Sequence, residues 1–521
     1  MNNLKVFIEK MNIMYNQNLR SRMKMRLIQK TPVLILTVLF FALPLSYASF
    51  SDITYNYNVE QQEFIAEPNL KSAGFWNLTG TPIFIDNSDS NNNWSKIASE
   101  NDWCSGDGTL ENPYLIENVT INAANSSTGC GIYIVNSQTE YFTIRNVTVY
   151  NAANGTTNAG IVLKNTYYGT LTMNNCSFNS GTGIYLEFCY YNDILGNNAS
   201  NNSHDGICVM GNYNEISGNN ACNNSHDGIV LEGEIIGDCG SSSAYPCSHL
   251  ASYDNVVSEN IVNYNDGYGI HVKDCPNNTI SGNIASYNTW YGIFIEGDMI
   301  LCFRNSYNNS IIRNTANNNH RGIMLMVSYY HNISGNIACN NTYDGIWLDV
   351  GDGHTVLSNI ANYNKYGIHL HSSSYNTISE NTACYNQENG IYLNSNNERN
   401  TISGNIICNN TNGIFIDGGD CLFCDPINNE RNTISGNIIC NNTNGIYLYR
   451  SNQNTISGNI IIGNIVCIME DTCQGNIFYN NNGCTYGQTG NLVPGYDLYF
   501  LLGFLSIAIV IGVRSIKKHD V

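Results

Sequence analysis

Apolar residues in this chain fall in short runs separated by polar corners, and the runs repeat. A Gly-Ile pair followed by x-Leu or an equivalent recurs thirteen times between Gly131 and Gly445, and eight of the twelve intervals are 22 or 23 residues. Between these pairs, asparagines stand five apart, as in Asn214/Asn219/Asn224, Asn278/Asn283/Asn288, Asn376/Asn381/Asn386 and Asn454/Asn459/Asn464. Stretches of three or four residues rich in Ile, Thr and Val between such corners are too short for helices and read as strands. A fixed period of this size means stacked coils, each leaning on its neighbours. Asn tolerates the left-handed backbone of a sharp corner, and its amide can bond the Asn one coil above, so columns of Asn are expected to close the bends. Three strands and three corners per period predict an all-β fold, a parallel β-helix of about thirteen 22–23-residue rungs. At the spacing of neighbouring strands this makes a rod of roughly 60 Å.

Alternation along the G-I-x-L strand separates two faces. Ile and Leu point into the bore, while the residue after Ile and the residue after Leu point out. The first outward column reads Tyr185, Cys208, Val230, His271, Phe294, Met324, Trp347, His369, Tyr392, Phe415, Tyr447. The second reads Glu187, Met210, Glu232, Lys273, Glu296, Met326, Asp349, His371, Asn394, Asp417, Tyr449. An aromatic stripe beside a carboxylate stripe suits a sugar polymer, offering ring faces to stack on and acids to bond hydroxyls; aromatic stacking for stability alone explains the same rings. The candidate binding residues are Glu232, His271, Lys273, Glu296, Trp347, Asp349, His369 and His371. Trp347 is expected to offer an open face beside Asp349.

The two positions before each Gly form a further track, with His204-Asp205, His226-Asp227, Trp290-Tyr291, His320-Arg321, Tyr343-Asp344 and Lys365-Tyr366. A His-Asp pair is acid–base machinery, but no nucleophile accompanies it, so no catalytic residue is assigned. Glu232, Lys273 and Glu296 on successive rungs read as a surface charge ladder, with Lys273 as a catalytic base the alternative.

The spacing in "NTISGNIICNNTNGIYL" (Asn432 to Leu448) resembles the right-handed parallel β-helix repeats of NosD-like proteins and of the wider group of carbohydrate-binding proteins and sugar hydrolases sharing that coil. "GDGTLENPYLIENVTI" (Gly106 to Ile121) is similar to the entry into those helices. The resemblance implies right-handed coiling. It also implies either lyase or epimerase chemistry, where calcium is used by some members, or copper binding. The Asp-Pro-His-Asp motif of the resembling epimerases is absent. For copper, His369/His371 and Met324/Met326 each place two ligand types on one face, thioether with imidazole suiting that metal. The pairs lie two rungs apart, about 9.6 Å, so one shared site is not expected. No cofactor is therefore assigned, with calcium or copper implied only by the resemblance and His369 and His371 the metal candidates.

Charged residues make up 12% of the chain, its net charge is −19 and its pI about 4.8, which excludes nucleic acid as a partner because phosphate binding needs basic patches. Basic residues from Arg20 to Lys30 precede the apolar run Val33 to Leu45 and the small residues around Ala48, so residues 1–48 read as a signal peptide with a basic leader. Residues 49–105 read as lead-in and N-terminal cap, with a short helix over Asn93–Asn101; 106–465 as the repeats; and 466–495 as C-terminal cap and linker. Residues 496–521 read as a membrane anchor and basic tail, because Leu498 to Val513 is apolar and Arg514, Lys517 and Lys518 follow. Pro494-Gly495-Tyr496 resembles archaeal PGF-type sorting tails.

Sequons such as those at Asn223, Asn409 and Asn441 fit an exported surface. Of the 19 cysteines, Cys222, Cys339, Cys384, Cys408 and Cys440 are expected to stack as thiols, while Cys239/Cys247 and Cys421/Cys424 are expected to form loop disulfides. Together these features predict a membrane-anchored module on the extracellular face that binds a polysaccharide or cell-envelope glycan, with no catalytic activity assigned. The alternatives are a polysaccharide lyase or epimerase on the same face, and a structural surface-layer protein that associates side by side.

Overall fold

The structure, a computed structural model of the chain, divides into two compact units, residues 1–69 and 70–521. The described residues are 76–236, 248–250, 252–297, 306–419 and 429–483, all within the second unit. The expected signal peptide, the apolar run 498–513 and the loop cysteines Cys239, Cys247, Cys421 and Cys424 lie outside them. Among the described residues, no helix is long and apolar enough to cross a membrane.

Successive coils add Thr-Ile-Ser-type strands to a 16-stranded sheet and Gly-Ile-x-Leu-type strands to a 15-stranded sheet. Pairing in the second sheet is parallel and in register, so Ile346 faces Ile368 and then Ile391, and Trp347 faces His369 and then Tyr392. The third side is narrower, with short strands at Trp76–Asn77, Val119–Asn122 and Thr148–Tyr150 at one end and Ile406–Cys408, Ile438–Cys440 and Ile460–Ile462 towards the other, and single bridges such as Ile284 to Thr315 between.

Pairing begins with Trp76–Asn77 and Ile83–Asp86, ahead of residue 106, and continues through Val466–Asp471 and Ile477–Tyr479 in the segment expected as a cap. Ile83–Asp86 lacks the Gly-Ile signature but alternates buried and half-buried residues, and alternation is what register in a stacked sheet requires. The expected short helix is present at Trp94–Glu100, with the Asn93 side chain accepting from the Lys96 amide. Its Trp94 is fully buried, packed 5.1 Å from both Tyr114 and Phe142, and donates its indole N–H to Ser137 Oγ at 2.8 Å.

One coil shows how the bore is filled. Ile368 and Leu370 come from one sheet, Ile378 from the next and Ala383 from the narrow side, and all are inaccessible to solvent. Each large aliphatic buried this way contributes about 1.5–3 kcal/mol of transfer free energy. The glycine of the repeat has a steric cause: a Cβ on Gly367 would stand 2.5 Å from the Gly390 carbonyl oxygen and 2.8 Å from Asn386 Nδ2 on the next coil. Any side chain there would push adjacent coils apart.

The asparagine columns are present, but they work differently from the expectation. Asn376, Asn381 and Asn386 are buried and do not adopt left-handed backbone; the residues just before them do, at Tyr375, Glu380 and Tyr385 with φ of 57–60°. The corner therefore turns on an exterior residue, which leaves the Asn side chain free to point inward. Asn381 Oδ1 accepts both the backbone and the side-chain amide of Asn359, at 2.8 and 2.9 Å, while its own Nδ2 donates to Val356 O and Asn405 Oδ1. Losing the side chain orphans two buried donors, at about 1–3 kcal/mol each. Bulky residues at the left-handed position stack across coils, as Tyr363 does on Tyr385 at 5.1 Å, offsetting the backbone cost.

The cysteine column also differs from a stack of thiols. Cys408 and Cys440 form a disulfide, while Cys384 on the preceding coil remains a thiol whose Sγ accepts the Cys408 amide at 3.2 Å. Parallel register sets the bonded pair's Cα atoms 4.6 Å apart, within the range a disulfide spans. Burial pushes the Cys384 thiol up to about 12.

Candidate functional site

The outer face of the Gly-Ile-x-Leu sheet carries three side-chain columns. The residue before each glycine forms a pre-glycine column, the residue after Ile a middle column, and the residue after Leu an edge column. All eight predicted binding residues lie on this face: His271, Trp347 and His369 in the middle column, and Glu232, Lys273, Glu296, Asp349 and His371 in the edge column. They form two groups separated by the coil of Met324 and Met326.

The middle column is outside the bore but is not open. Phe294 and Met324 are 3% exposed and His369 is 8% exposed, because longer side chains from the flanking columns close over them. Trp347 is half-buried rather than an open platform. The Arg321 guanidinium lies 4.2 Å from its ring centroid, the His369 ring stacks on it at 5.6 Å, and its indole nitrogen is buried without a partner. The expected sugar-stacking face is therefore occupied by the protein's own neighbouring coils.

The two middle-column histidines share one wiring pattern, four coils apart. His271 places Nδ1 3.2 Å from Asp227 Oδ2 in the pre-glycine column and Nε2 3.1 Å from Glu296 Oε2 in the edge column. His369 places Nδ1 2.9 Å from Asp344 Oδ1 and Nε2 2.8 Å from Asn394 Oδ1. Both buried aspartates are held further: Asp227 accepts the Tyr268 amide at 2.7 Å, and Asp344 accepts Arg321 Nε at 2.7 Å. In His271, burial disfavours the charged ring, but Asp227 and Glu296 outweigh it and hold the imidazole above its ordinary value. Tyr268 beside it is pushed up to about 12, chiefly by burial.

The edge column is the more accessible one. Side chains of Glu232, Lys273, Glu296 and His371 are 30–43% exposed and that of Asp349 16%. Lys273 Nζ lies 3.0 Å from Glu232 Oε1, and His371 Nδ1 lies 2.6 Å from Asp349 Oδ1. Burial works against the Lys273 charge, yet Glu232 raises its pKa above the ordinary value, which is the wrong direction for a base at neutral pH. The expected Glu-Lys-Glu ladder is thus only half present. Glu232 takes Lys273, while Glu296 turns to His271.

Of the donors expected for copper, His369 and Met324 are not available to a metal. Both ring nitrogens of His369 are engaged, Nδ1 of His371 is bonded to Asp349, and the Met324 side chain is buried. Among the described residues, one group of three metal-ligating side chains converges: Asp205, His226 and Asp227, with donor atoms within 4.8 Å. His226 Nδ1 sits 2.6 Å from Asp205 Oδ1, and this bond lifts its pKa to about 9, so the imidazolium itself supplies the positive charge between the acids.

Reading the columns separately missed the coupling between them. A signal for it exists in the sequence: Asp-Gly-Ile in one rung followed by Gly-Ile-His in the next, at Asp227/His271 and again at Asp344/His369. The pre-glycine acid then lies one coil before the histidine it bonds.

Residues 130–300 match the family described as a right-handed β-helix region, and residues 298–422 and 425–483 match the periplasmic copper-binding protein NosD family. No curated protein matches. Among solved structures, the periplasmic alginate epimerase AlgG is similar at 13% identity over 76% of this chain and 83% of that chain, with a TM-score of 0.37. The Azotobacter vinelandii mannuronan C-5 epimerase AlgE4 A-module is similar at 12% identity over 72% and 90%, with a TM-score of 0.35. Bacteriophage CBA120 tailspike protein 3 is similar at 11% identity over 71% of this chain and 52% of that chain, also with a TM-score of 0.35. With the parallel, in-register coils and the two adjoining family matches, the chain from residue 130 to 483 is a right-handed parallel β-helix, NosD-like over residues 298–483.

Proposed function

We propose that the outer face of the Gly-Ile-x-Leu sheet is a carbohydrate-binding surface for a polysaccharide or cell-envelope glycan, with no catalytic role. The observation that carries this reading is the edge column. Glu232, Lys273 and Glu296, and after one coil Asp349, His371, Asn394 and Asp417, present one partly accessible hydrogen-bonding side chain per coil. At about 4.8 Å per coil, such a row meets successive rings of an extended glycan. The buried middle column supports the row from beneath, since His271 bonds Glu296 and His369 bonds Asn394. Catalysis is disfavoured because Lys273 is ion-paired and each middle-column histidine has both nitrogens engaged.

A glycan array probed with the purified protein, paired with an assay for unsaturated or epimerised products on glycan polymers, tests this reading. Binding without turnover is the expected result. Turnover assigns the face to a lyase or epimerase instead, and the absence of both leaves a structural role. On the same reading the module is displayed outside the cell, which the apolar run Val33 to Leu45 and the Leu498 to Val513 run with its basic flank support. Protease treatment of intact cells is expected to degrade the repeat region; its survival places the module inside.

A further inference from the structure

If the edge column binds a glycan, its charge selects among glycans. Along this column, from the coil of Lys164 to that of Asp417, the carboxylates are Glu187, Glu232, Glu296, Asp349 and Asp417, and the cations are Lys164 and Lys273. Both cations are already spent: Lys164 Nζ lies 2.8 Å from Glu187 Oε1, and Lys273 Nζ lies 3.0 Å from Glu232 Oε1. The one cation of the pre-glycine column among the described residues, Arg321, is bound to buried Asp344 and covered by aromatic rings. Beside these columns, Lys365 is paired with Glu388 and His226 with Asp205, so a polyuronate, which needs positive charges to receive its carboxylates, meets no unpaired Lys or Arg in the two columns among the described residues.

The three remaining carboxylates have the opposite character. Glu296 takes the ring nitrogen of His271, Asp349 takes that of His371, and Asp417 takes the Tyr392 hydroxyl at 3.1 Å. None is neutralised by Lys or Arg, and each is only partly buried, so each has acceptor capacity left for a donor from outside. Their surroundings deepen the bias, since the chain as a whole carries −19. Resting on the carbohydrate-binding reading, we infer that the ligand of this edge is a glycan bearing protonated amino groups, an amino-sugar polymer, whose ammonium groups meet Glu296, Asp349 and Asp417.

Calorimetric titration of the purified full chain with three probes decides the matter: partly deacetylated chitosan oligomers, the fully N-acetylated oligomers of the same length, and alginate oligomers. The amino oligomers are expected to bind at least about tenfold more tightly than the acetylated ones, with the advantage collapsing between roughly 0.05 and 0.5 M salt as screening shortens. Glu296→Gln and Asp349→Asn are each expected to weaken the amino oligomers severalfold and to narrow their advantage over the acetylated oligomers, and an undiminished advantage in both variants overturns the assignment of these carboxylates. Equal affinity for amino and acetylated oligomers overturns the charge inference while leaving the carbohydrate reading in place. Tightest binding to alginate overturns it outright, and no binding to any probe removes the carbohydrate reading with it.

Discussion

Asp344→Ala is expected to cost about 3–5 kcal/mol of stability, far more than any substitution in the accessible edge column. Asp344 is 2% exposed and its two oxygens serve different partners, Oδ2 accepting Arg321 Nε at 2.7 Å and Oδ1 facing His369 Nδ1 at 2.9 Å. Alanine leaves a guanidinium without its counter-charge beneath the rings of Tyr291, Tyr343 and Trp347, and leaves a buried imidazole nitrogen unpaired. Asp349→Asn, five residues along the same strand, touches only the accessible pair with His371 and is expected to cost about 1 kcal/mol or less. Denaturant unfolding of the two variants side by side checks the contrast. Similar losses for both would mean that the pre-glycine column does not anchor the face.

The same strand shows what was legible in the sequence and what was not. Periodicity alone places Ile346 and Leu348 in the bore and Trp347 and Asp349 outside it, and the register confirms both. It is silent on whether an outward residue meets solvent. That depends on the length of side chains in the adjacent columns and coils, here Arg321 from the coil before and His369 from the coil after. The expected open indole was wrong for this reason, whereas Glu232, Glu296 and His371, at the margin of the sheet, keep the accessibility that their column predicted. Asparagine was misread in a related way. Its tolerance of left-handed backbone is a local property, but at Asn381 the tertiary demand for a buried amide bonding two coils overrides it, and Glu380 takes the strained position. The disulfide between Cys408 and Cys440 needed the register, since equal spacing in sequence fits stacked thiols equally well.

Acid is expected to destabilise the coil through two residues that interrupt an asparagine ladder. Between Asn309 and Asn376 the column position is held by His331 and His354, both 1% exposed and stacked at 5.2 Å. The Asn309 amide donates to His331 Nδ1 at 2.9 Å and the His331 amide to His354 Nδ1 at 3.2 Å, so each ring must stay neutral with its proton on Nε2. Nε2 of His331 finds no hydrogen-bond partner, and Nε2 of His354 has at most the Ser328 carbonyl beside it. Burial drives the His354 pKa from 6.5 down to about 3, and burial together with its neighbour His354 holds His331 well below the ordinary range. Because both folded values lie below the unfolded one, the unfolded chain binds more protons as the pH falls below 6.5. Above that pH the two residues carry no penalty. Below it, His354 removes about 1.4 kcal/mol per pH unit, or roughly 2 kcal/mol between pH 6.5 and 4.5, and His331 adds a loss of the same sign. His226 and His271 titrate in the opposite sense, their raised values making their contribution complete in acid, so they do not offset a loss in this window. The lowered carboxylates Asp86, Asp89 and Asp107 lose their contribution only as the pH falls to about the ordinary carboxylate value of 3.8 and below. Replacing both histidines, His331→Asn with His354→Asn, restores the residue used elsewhere in the ladder and removes the titrating groups. The melting temperature of the double variant is expected to fall much less from pH 6.5 to 4.5 than that of the parent, the half-exposed His320, lowered by burial and by Arg321, being the lowered histidine that remains among the described residues. Parallel curves for the two proteins would place the acid sensitivity elsewhere.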